Sequence, residues 1–492
     1  MIVDRKPSPT ARKLLLDGEL LEVTETLALK LAHGYDFAKR MIQEISLIIA
    51  GQSIKFLDIG LPDRGFSHAA FYGAHGYGRD FTWRIAETSG IFPINDPIRA
   101  KRLDNITEAA LIGTVEEYHI LPPPTVTEDI LFVGEYATLA KGQNAEGMAA
   151  NLCSMLETGE YHRRLAKVVK LREILDDPND RRRKRLVGDI EECKHMGMHI
   201  DVNRGAIRVD TTTSWIISSA RFGSEVVQGR PLLSMGDVDR YRWRSFSPTR
   251  EERLKVTSEV GSLPPVDINA TEISAVNEAW RILHTTLKEM TATRSIKVPR
   301  DDMSYQLRKR IWDDTQKEML ELYPDMKDIY EDQLVTLRAT AEFRRLMYQH
   351  AALKQFARNQ GHDFAEPGKF VIDYEEDGEF AKQLWLTEYV PSLMEVVDDI
   401  LHSSLLRRSR TVTFSEKGSE VVLKRLEEGS AAHDELVEVA ADAGIKKSLL
   451  SNVVLPTLLK KDLICKPTGY KVYQLRDCKI CKMRDVCRYR DM

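Results

Sequence analysis

FSHAAFYGAHGYGRDFTWRIAETSG, residues 66–90, is the stretch on which the fold turns. Residues 66–72 form a short apolar run that reads as a buried strand, and FTWRIAETSG reads as a helix. Between them lie Gly73, Gly76 and Gly78. A strand, a glycine loop and a helix in succession can wrap phosphates with backbone N–H groups. Such a site also needs a Lys for the outer phosphates and a Ser or Thr for magnesium. Here Arg79 stands where the Lys belongs and Asp80 where the hydroxyl belongs. Taken alone, the stretch reads equally well as an ordinary strand-to-helix turn.

Working outward, residues 1 to about 50 read as helices, with LLLDGELLEVTETLALKLAHG followed by DFAKRMIQEISLIIAG. Two further apolar strands are expected, DILFVGEY at 129–136 and SWIISSA at 214–220. Strands alternating with helices imply an α/β fold with a parallel sheet between helices. Residues 267 to about 406 lose this alternation and read as helices. Residues 411–475 read as a separate unit of three helices and a hairpin, in the manner of a winged helix. The expected division is therefore 1–265 for the α/β core, 266–408 for a helical region, 409–476 for the winged helix and 477–492 for a cysteine-rich tail.

The order of these segments resembles the AAA+ ATPase module of the minichromosome maintenance (MCM) DNA helicases. GYDFAKRMIQEISLIIAG, from Gly34, is similar to the helix that precedes the P-loop in that family. DNITEAALIGTVE, from Asp104, resembles the stretch leading to its second sheet strand, and ILFVGEYATLAK resembles its Walker B strand. MAANLCSMLETGEYHRR resembles the following helix. VNRGAIRVDTTTSWIISSAR resembles the pre-sensor hairpin and the sensor-1 strand, with Ser219 near the sensor position. PLLSMGDVDRYRWRSF resembles the arginine-finger segment, and TLRATAEFRRLMYQHAALK the lid helix, with Arg338 at the sensor-2 position. The resemblance covers about residues 30–360 plus the terminal winged helix and implies a P-loop AAA+ fold.

Three departures fall on the chemistry. Arg79 replaces the P-loop Lys, Gly134 replaces the Walker B Asp, leaving Glu135 as a catalytic remnant, and Met235 replaces the finger. A planar guanidinium is not interchangeable with an ammonium, and Asp80 adds negative charge beside bound phosphates. A missing arginine finger forfeits about a thousandfold to a hundred-thousandfold in rate. ATP is thus expected to bind weakly or not at all, with little hydrolysis.

For nucleic acid, the resemblance puts Arg204, in the Asn203-Arg204-Gly205 turn, at the hairpin cation that touches DNA. The run Arg181 to Arg185, expected to open a helix, reads either as a solvated face or as a phosphate contact. In the winged helix, Lys446, Lys447, Ser448 and Ser451 lead the third helix and would meet DNA. The alternative there is protein binding. Pro456 should bend that helix.

Cys478, Cys481 and Cys487 follow C-x₂-C-x₅-C spacing, and Cys465 is the expected fourth thiolate. Four thiolates serve either zinc or a [4Fe–4S] cluster. The spacing resembles that of iron–sulfur nucleases of the CRISPR-associated exonuclease type. It also resembles the cluster that follows winged helices in the archaeal TFE-beta and RNA polymerase III subunit family. Cys153 and Cys193 read as a core thiol and a surface thiol.

The chain has 492 residues, is 42% hydrophobic and 30% charged, and carries a formal net charge of -4. Any nucleic-acid surface must therefore be local. No apolar run reaches the roughly 20 residues of a membrane span, MIVDRKPSPTARK lacks the apolar core of a secretory signal, and a cytoplasmic location is expected. The expected function is a catalytically degenerate, DNA-binding AAA+ subunit of replication or a related ring, partnered by DNA and by AAA+ subunits. The rivals are an active DNA-stimulated ATPase or helicase, and a winged-helix interaction protein on an inert scaffold.

Overall fold

A computed structural model describes residues 7–54, 56–58, 62–73, 79–103, 111–134, 152, 155–220, 240–246, 251, 254, 269–292, 296–298, 301–324, 334, 336–359, 370–443, 445, 447, 450–460, 463–465 and 472–475. The chain divides into two compact units, residues 1–400 and 401–492. The first takes in both the expected α/β core and most of the expected helical region.

The first unit opens with helices α1 (Pro9–Asp17), α2 (Leu20–Leu31) and α3 (Asp36–Ser53). Ser8 caps α1 by accepting from the Ala11 N–H, and Gly18 ends it at φ 70°. This is the left-handed position that glycine adopts without strain. Strands β1 (Phe56–Asp58) and β2 (Pro62–Arg64) follow, then β3 (Ala69–Gly73) and helix α4 (Arg79–Thr88). Next come β4 (Ala100–Leu103), the hairpin β5 (Thr114–Glu116) with β6 (His119–Leu121), and β7 (Ile130–Val133). β8 (Glu160–Arg164), β9 (Met198–Asp201) and β10 (Ala206–Asp210) make a small antiparallel sheet. β11 (Ser214–Ala220) and β12 (Arg242–Phe246) complete the main sheet. β13 (Ile296–Lys297) pairs with β1.

The main sheet is five-stranded and wholly parallel, in the order β12-β3-β11-β7-β4. β3 and β7 are buried at every position, as expected of strands covered on both faces. The fold class is thus α/β with a parallel sheet and flanking helices. The second strand of the sheet corrects the sequence reading. It is β4, before Asp104, whereas the chain after residue 111 forms the separate β5–β6 hairpin. Likewise GEYHRR does not extend a helix, because residues 160–164 are strand β8.

Helix α3 is buried along nearly its whole length, so each of its polar residues needs a partner. Gln52 donates to the Thr212 carbonyl at 2.8 Å and to Ser214 Oγ at 2.7 Å. Ser53 Oγ lies 3.0 Å from His284 Nδ1. Glu44 Oε1 meets Arg242 Nη2 at 2.6 Å, and Glu44 Oε2 meets Arg244 Nε at 3.1 Å. Tyr389 donates to the same carboxylate. Tyr389 closes a π-helical turn, Trp385–Tyr389, in which Glu388 pairs with both Arg244 and Arg40. Burial alone would raise the Glu44 carboxyl. The guanidinium groups of Arg242 and Arg244 and the Tyr389 hydroxyl hold it below its ordinary value. Burial pushes the Tyr389 phenol well above its own.

In the second unit, the end of the helix Val390–Glu427 packs with the helix His433–Asp442, a π-helical turn Leu450–Val454 and the short helix Leu455–Lys460. Val422, Leu436, Ile445, Val454, Leu458 and Ile464 belong to its core. β14 (Ala431–Ala432), β15 (Ile464–Cys465) and β16 (Val472–Leu475) form an antiparallel sheet in the order β14-β16-β15. Pro456 enters just after the π-helical turn. Its missing N–H frees a carbonyl in the preceding turn, which accounts for the widened register there.

Candidate functional site

In chain order the sheet strands are β3, β4, β7, β11 and β12, so their spatial order is fifth, first, fourth, third, second. The first strand therefore has the last to one side and the fourth to the other. The chain leaves β3 for the far edge, which makes the carboxyl end of β3 the switch point of the sheet. Ligands of open α/β sheets bind there. Gly73 ends β3 at this edge, and a Cβ on it would meet the Phe246 carbonyl at 2.7 Å. Gly76, Gly78 and Glu135 lie outside the described residues, as does Met235.

Arg79 and Asp80 open α4, the first buried and the second exposed. The helix is locked to the sheet by Trp83, which stacks on Phe132 of β7 with ring centroids 4.5 Å apart. Arg102 of β4 lies opposite Phe132 in the ladder, and its guanidinium sits 5.7 Å from that ring's centroid. From there Arg102 Nη1 reaches Asp80 Oδ1 at 3.5 Å. Gly134, directly after β7, faces the same guanidinium: a Cβ there would stand 3.1 Å from Arg102 Nη2. Nothing in the local sequence around Arg102 marks it. It is found only through the β4–β7 ladder.

Arg338 does not join this site within the chain. It lies at the start of the helix Leu337–Leu353, capped by Thr336, and its Nη2 pairs with Glu157 at 2.7 Å. Arg240 Nη2 pairs with the other Glu157 oxygen at 2.8 Å. The hydrogen bond from Arg338 and then that from Arg240 hold the Glu157 carboxyl below its ordinary value, against burial. Arg240 precedes β12, whose first residue is level with Ala69 at the beginning of β3. This cluster is therefore at the amino edge of the sheet, at the opposite end of β3 from Gly73. The same helix sends Gln349 to the Gly65 carbonyl and to Ser67 Oγ, both at 2.8 Å, on that amino edge.

Arg204 occupies the tip of the β9–β10 hairpin, as its turn residues require. Asp201 Oδ1 accepts from the Asn203 and Arg204 N–H groups, both at 3.0 Å, and Gly205 adopts φ 62°. The Arg204 side chain is 81% exposed, with a loose 3.6 Å approach to Asp201. Arg164 is level with Ala206 in the ladder, and the Leu165 N–H donates to the Gly205 carbonyl at 2.7 Å. Arg164, Lys167 and Lys170 are all exposed along this junction and the helix Ala166–Asp176 that follows it. Local sequence does not join them to the turn, because they lie more than 30 residues before it. The run Arg181–Arg185 is exposed throughout and leads into the helix Arg183–His195. Within it, Arg182 is tied to Asp180 and lies over Tyr118.

Compared with protein-family models and with curated proteins, the chain matches none.

In the second unit Lys447 is exposed, while Lys446 and Ser448 lie outside the described residues. Ser451 Oγ is 3.0 Å from His433 Nε2, an engagement within the unit. Cys465 is buried on β15 and sits opposite Gln474. Cys478, Cys481 and Cys487 are outside the described residues, and among the described residues no three His, Cys, Asp or Glu side chains gather as a metal site. Cys193 is not a surface thiol. It is buried, and burial, then Asp189 and Glu192, push its thiol up to about 11. Among the described residues no helix is long and apolar enough to cross a membrane.

Proposed function

We propose that this chain is an MCM-like AAA+ subunit that binds nucleic acid and hydrolyses ATP slowly or not at all. The observation that carries the reading is the single inversion of strand order, which puts Gly73, at the end of β3, at the switch point where a phosphate-binding loop would begin. The exposed Arg204 tip, on a hairpin that leads directly into β11, supports the nucleic-acid part. With the exposed Arg164, Lys167 and Lys170 it gives a cationic corner on a chain whose net charge is -4. The unit 401–492 would act as a winged helix, with Lys446 and Lys447 toward DNA, and the tail cysteines would hold zinc or a [4Fe–4S] cluster.

Weak hydrolysis follows from the residues. Gly134 offers no carboxylate, Asp80 offers no hydroxyl, and Arg338 is committed to Glu157 at the far edge of the sheet. Phosphate release with and without single-stranded DNA tests this. A turnover comparable to that of active AAA+ proteins, abolished by Glu135→Gln, would sink the reading. For the tail, metal analysis of anaerobically purified protein should give one centre, lost on Cys481→Ser. An unchanged metal content removes that part of the proposal.

A further inference from the structure

We propose that the basic run Arg181–Arg185 is a second contact for a nucleic-acid backbone, separate from the Arg204 tip. It rests on the nucleic-acid reading of that tip. Residues 180–185 carry five cations against one carboxylate. That carboxylate, Asp180, is already engaged: Arg182 pairs with it at 2.5 Å and lies 5.6 Å from the Tyr118 ring centroid. Arg182 therefore positions the run against the β5–β6 hairpin. Arg181, Arg183, Lys184 and Arg185 are all exposed, and none of their side chains makes an ion pair or hydrogen bond among the described residues. Other exposed arginines of the same segment do pair, Arg172 with Asp176 at 3.2 Å and Arg208 with Asp210 at 2.8 Å.

The run does nothing for the helix it opens. The first turn of Arg183–His195 holds no acidic residue, so the cations stand at the positive end of the helix dipole and oppose it. At about 100° per residue, side chains 183, 184 and 185 point three ways around the axis while Leu186 turns inward. They cannot close together on one small anion. They can meet successive phosphates of a chain that crosses the start of the helix, and a guanidinium fork suits phosphate oxygens. A lipid surface fits less well, because an interfacial helix needs an exposed apolar face. Here Leu186 and Cys193 are buried, and Val187 is the one large apolar residue of the helix that is exposed. Glu116 and Glu117, exposed just before Tyr118, bound the strip on the hairpin side.

Anisotropy titrations of the full chain with labelled oligo-dT, over a range of salt, test this. A variant combining Arg181→Gln, Arg183→Gln, Lys184→Gln and Arg185→Gln should lower the salt slope by about three, and weaken binding about a hundredfold near physiological salt. Arg181→Lys, Arg183→Lys and Arg185→Lys together should keep the slope. The loss should add to that of Arg204→Ala, and the glutamine variant should melt no lower than the parent. An unchanged slope in the glutamine variant, with the Arg204→Ala effect intact, overturns the inference and leaves the tip standing. A lost slope accompanied by a lowered melting temperature also overturns it, assigning the run to the fold. So does loss of binding to phosphatidylserine vesicles with the DNA slope unchanged, which assigns the run to a lipid surface. A parent chain that does not bind oligo-dT removes the nucleic-acid reading and this inference with it.

Discussion

Arg244 and Arg204 carry the same side chain into opposite surroundings. Arg244 lies on β12, fully buried between Glu44 and Glu388 and 4.6 Å from the Tyr389 ring centroid. Arg204 projects from a hairpin tip into water. A buried guanidinium is tolerable only with its charge answered at hydrogen-bonding distance. An exposed one is well solvated, and a loose ion pair there contributes little. The first arginine therefore belongs to the fold, and the second is available to a partner.

That contrast can be broken by removing each charge in turn. Arg244→Met leaves Glu44 and Glu388 short of a partner in the core. It should destabilise the protein by about 3–5 kcal/mol, read as a lowered denaturation midpoint. A change as small as that expected for Arg204 would mean the network contributes nothing. The acid response sharpens the same point. His68 accepts the Trp215 N–H at 3.1 Å on Nδ1, and its Nε2 lies 3.3 Å from the Leu156 carbonyl. Burial, then Arg345, lowers its value from 6.5 to about 3. The unfolded chain binds this proton below pH 6.5 and the folded chain does not. Stability should therefore fall by about 1.4 kcal/mol per pH unit from 6.5 toward 3 on this account. Glu44 adds acid lability later: its contribution is present above 4.5 and lost as pH falls through its lower folded value. A His68→Gln variant with an unflattened slope between about pH 6 and pH 5 would refute the His68 assignment.

The smallest effect on stability is expected at the surface. Arg204→Ala should change stability by no more than about 0.5 kcal/mol, yet lower the salt slope of single-stranded DNA binding by about one. Arg164→Ala and Lys167→Ala should each do the same. Unchanged slopes for all three would show that the corner meets no phosphate.

Segments whose burial is written in their own composition were legible. AAFYG and ILFV are apolar at almost every position, SWIISSA carries the apolar run Trp215-Ile216-Ile217, and each is an interior strand of the sheet. The hairpin turn at Asn203-Arg204-Gly205 was legible because Asp201 and a glycine spell it locally. The two edge strands were not. AKRL and RWRSF carry charges, and the arginines of RWRSF are buried only because Glu44, some 200 residues earlier, meets them on α3. Local periodicity cannot show a partner at that distance. The same holds for Arg102 beside Asp80 and for Arg338, whose place at the amino edge depends on Glu157 and Arg240 from separate segments.

The inverted strand order also sets a timetable for synthesis. β3 is the first strand of the main sheet to leave the ribosome, yet both its neighbours come much later, His68 and Trp215 being 147 residues apart where they meet. At the usual pace of translation that interval is on the order of 10 s. Throughout it an apolar strand destined for the middle of the sheet has no neighbour on either side. A nascent chain halted between β7 and β11 should for that reason be a strong client for chaperones, and a chain halted after β12 should not.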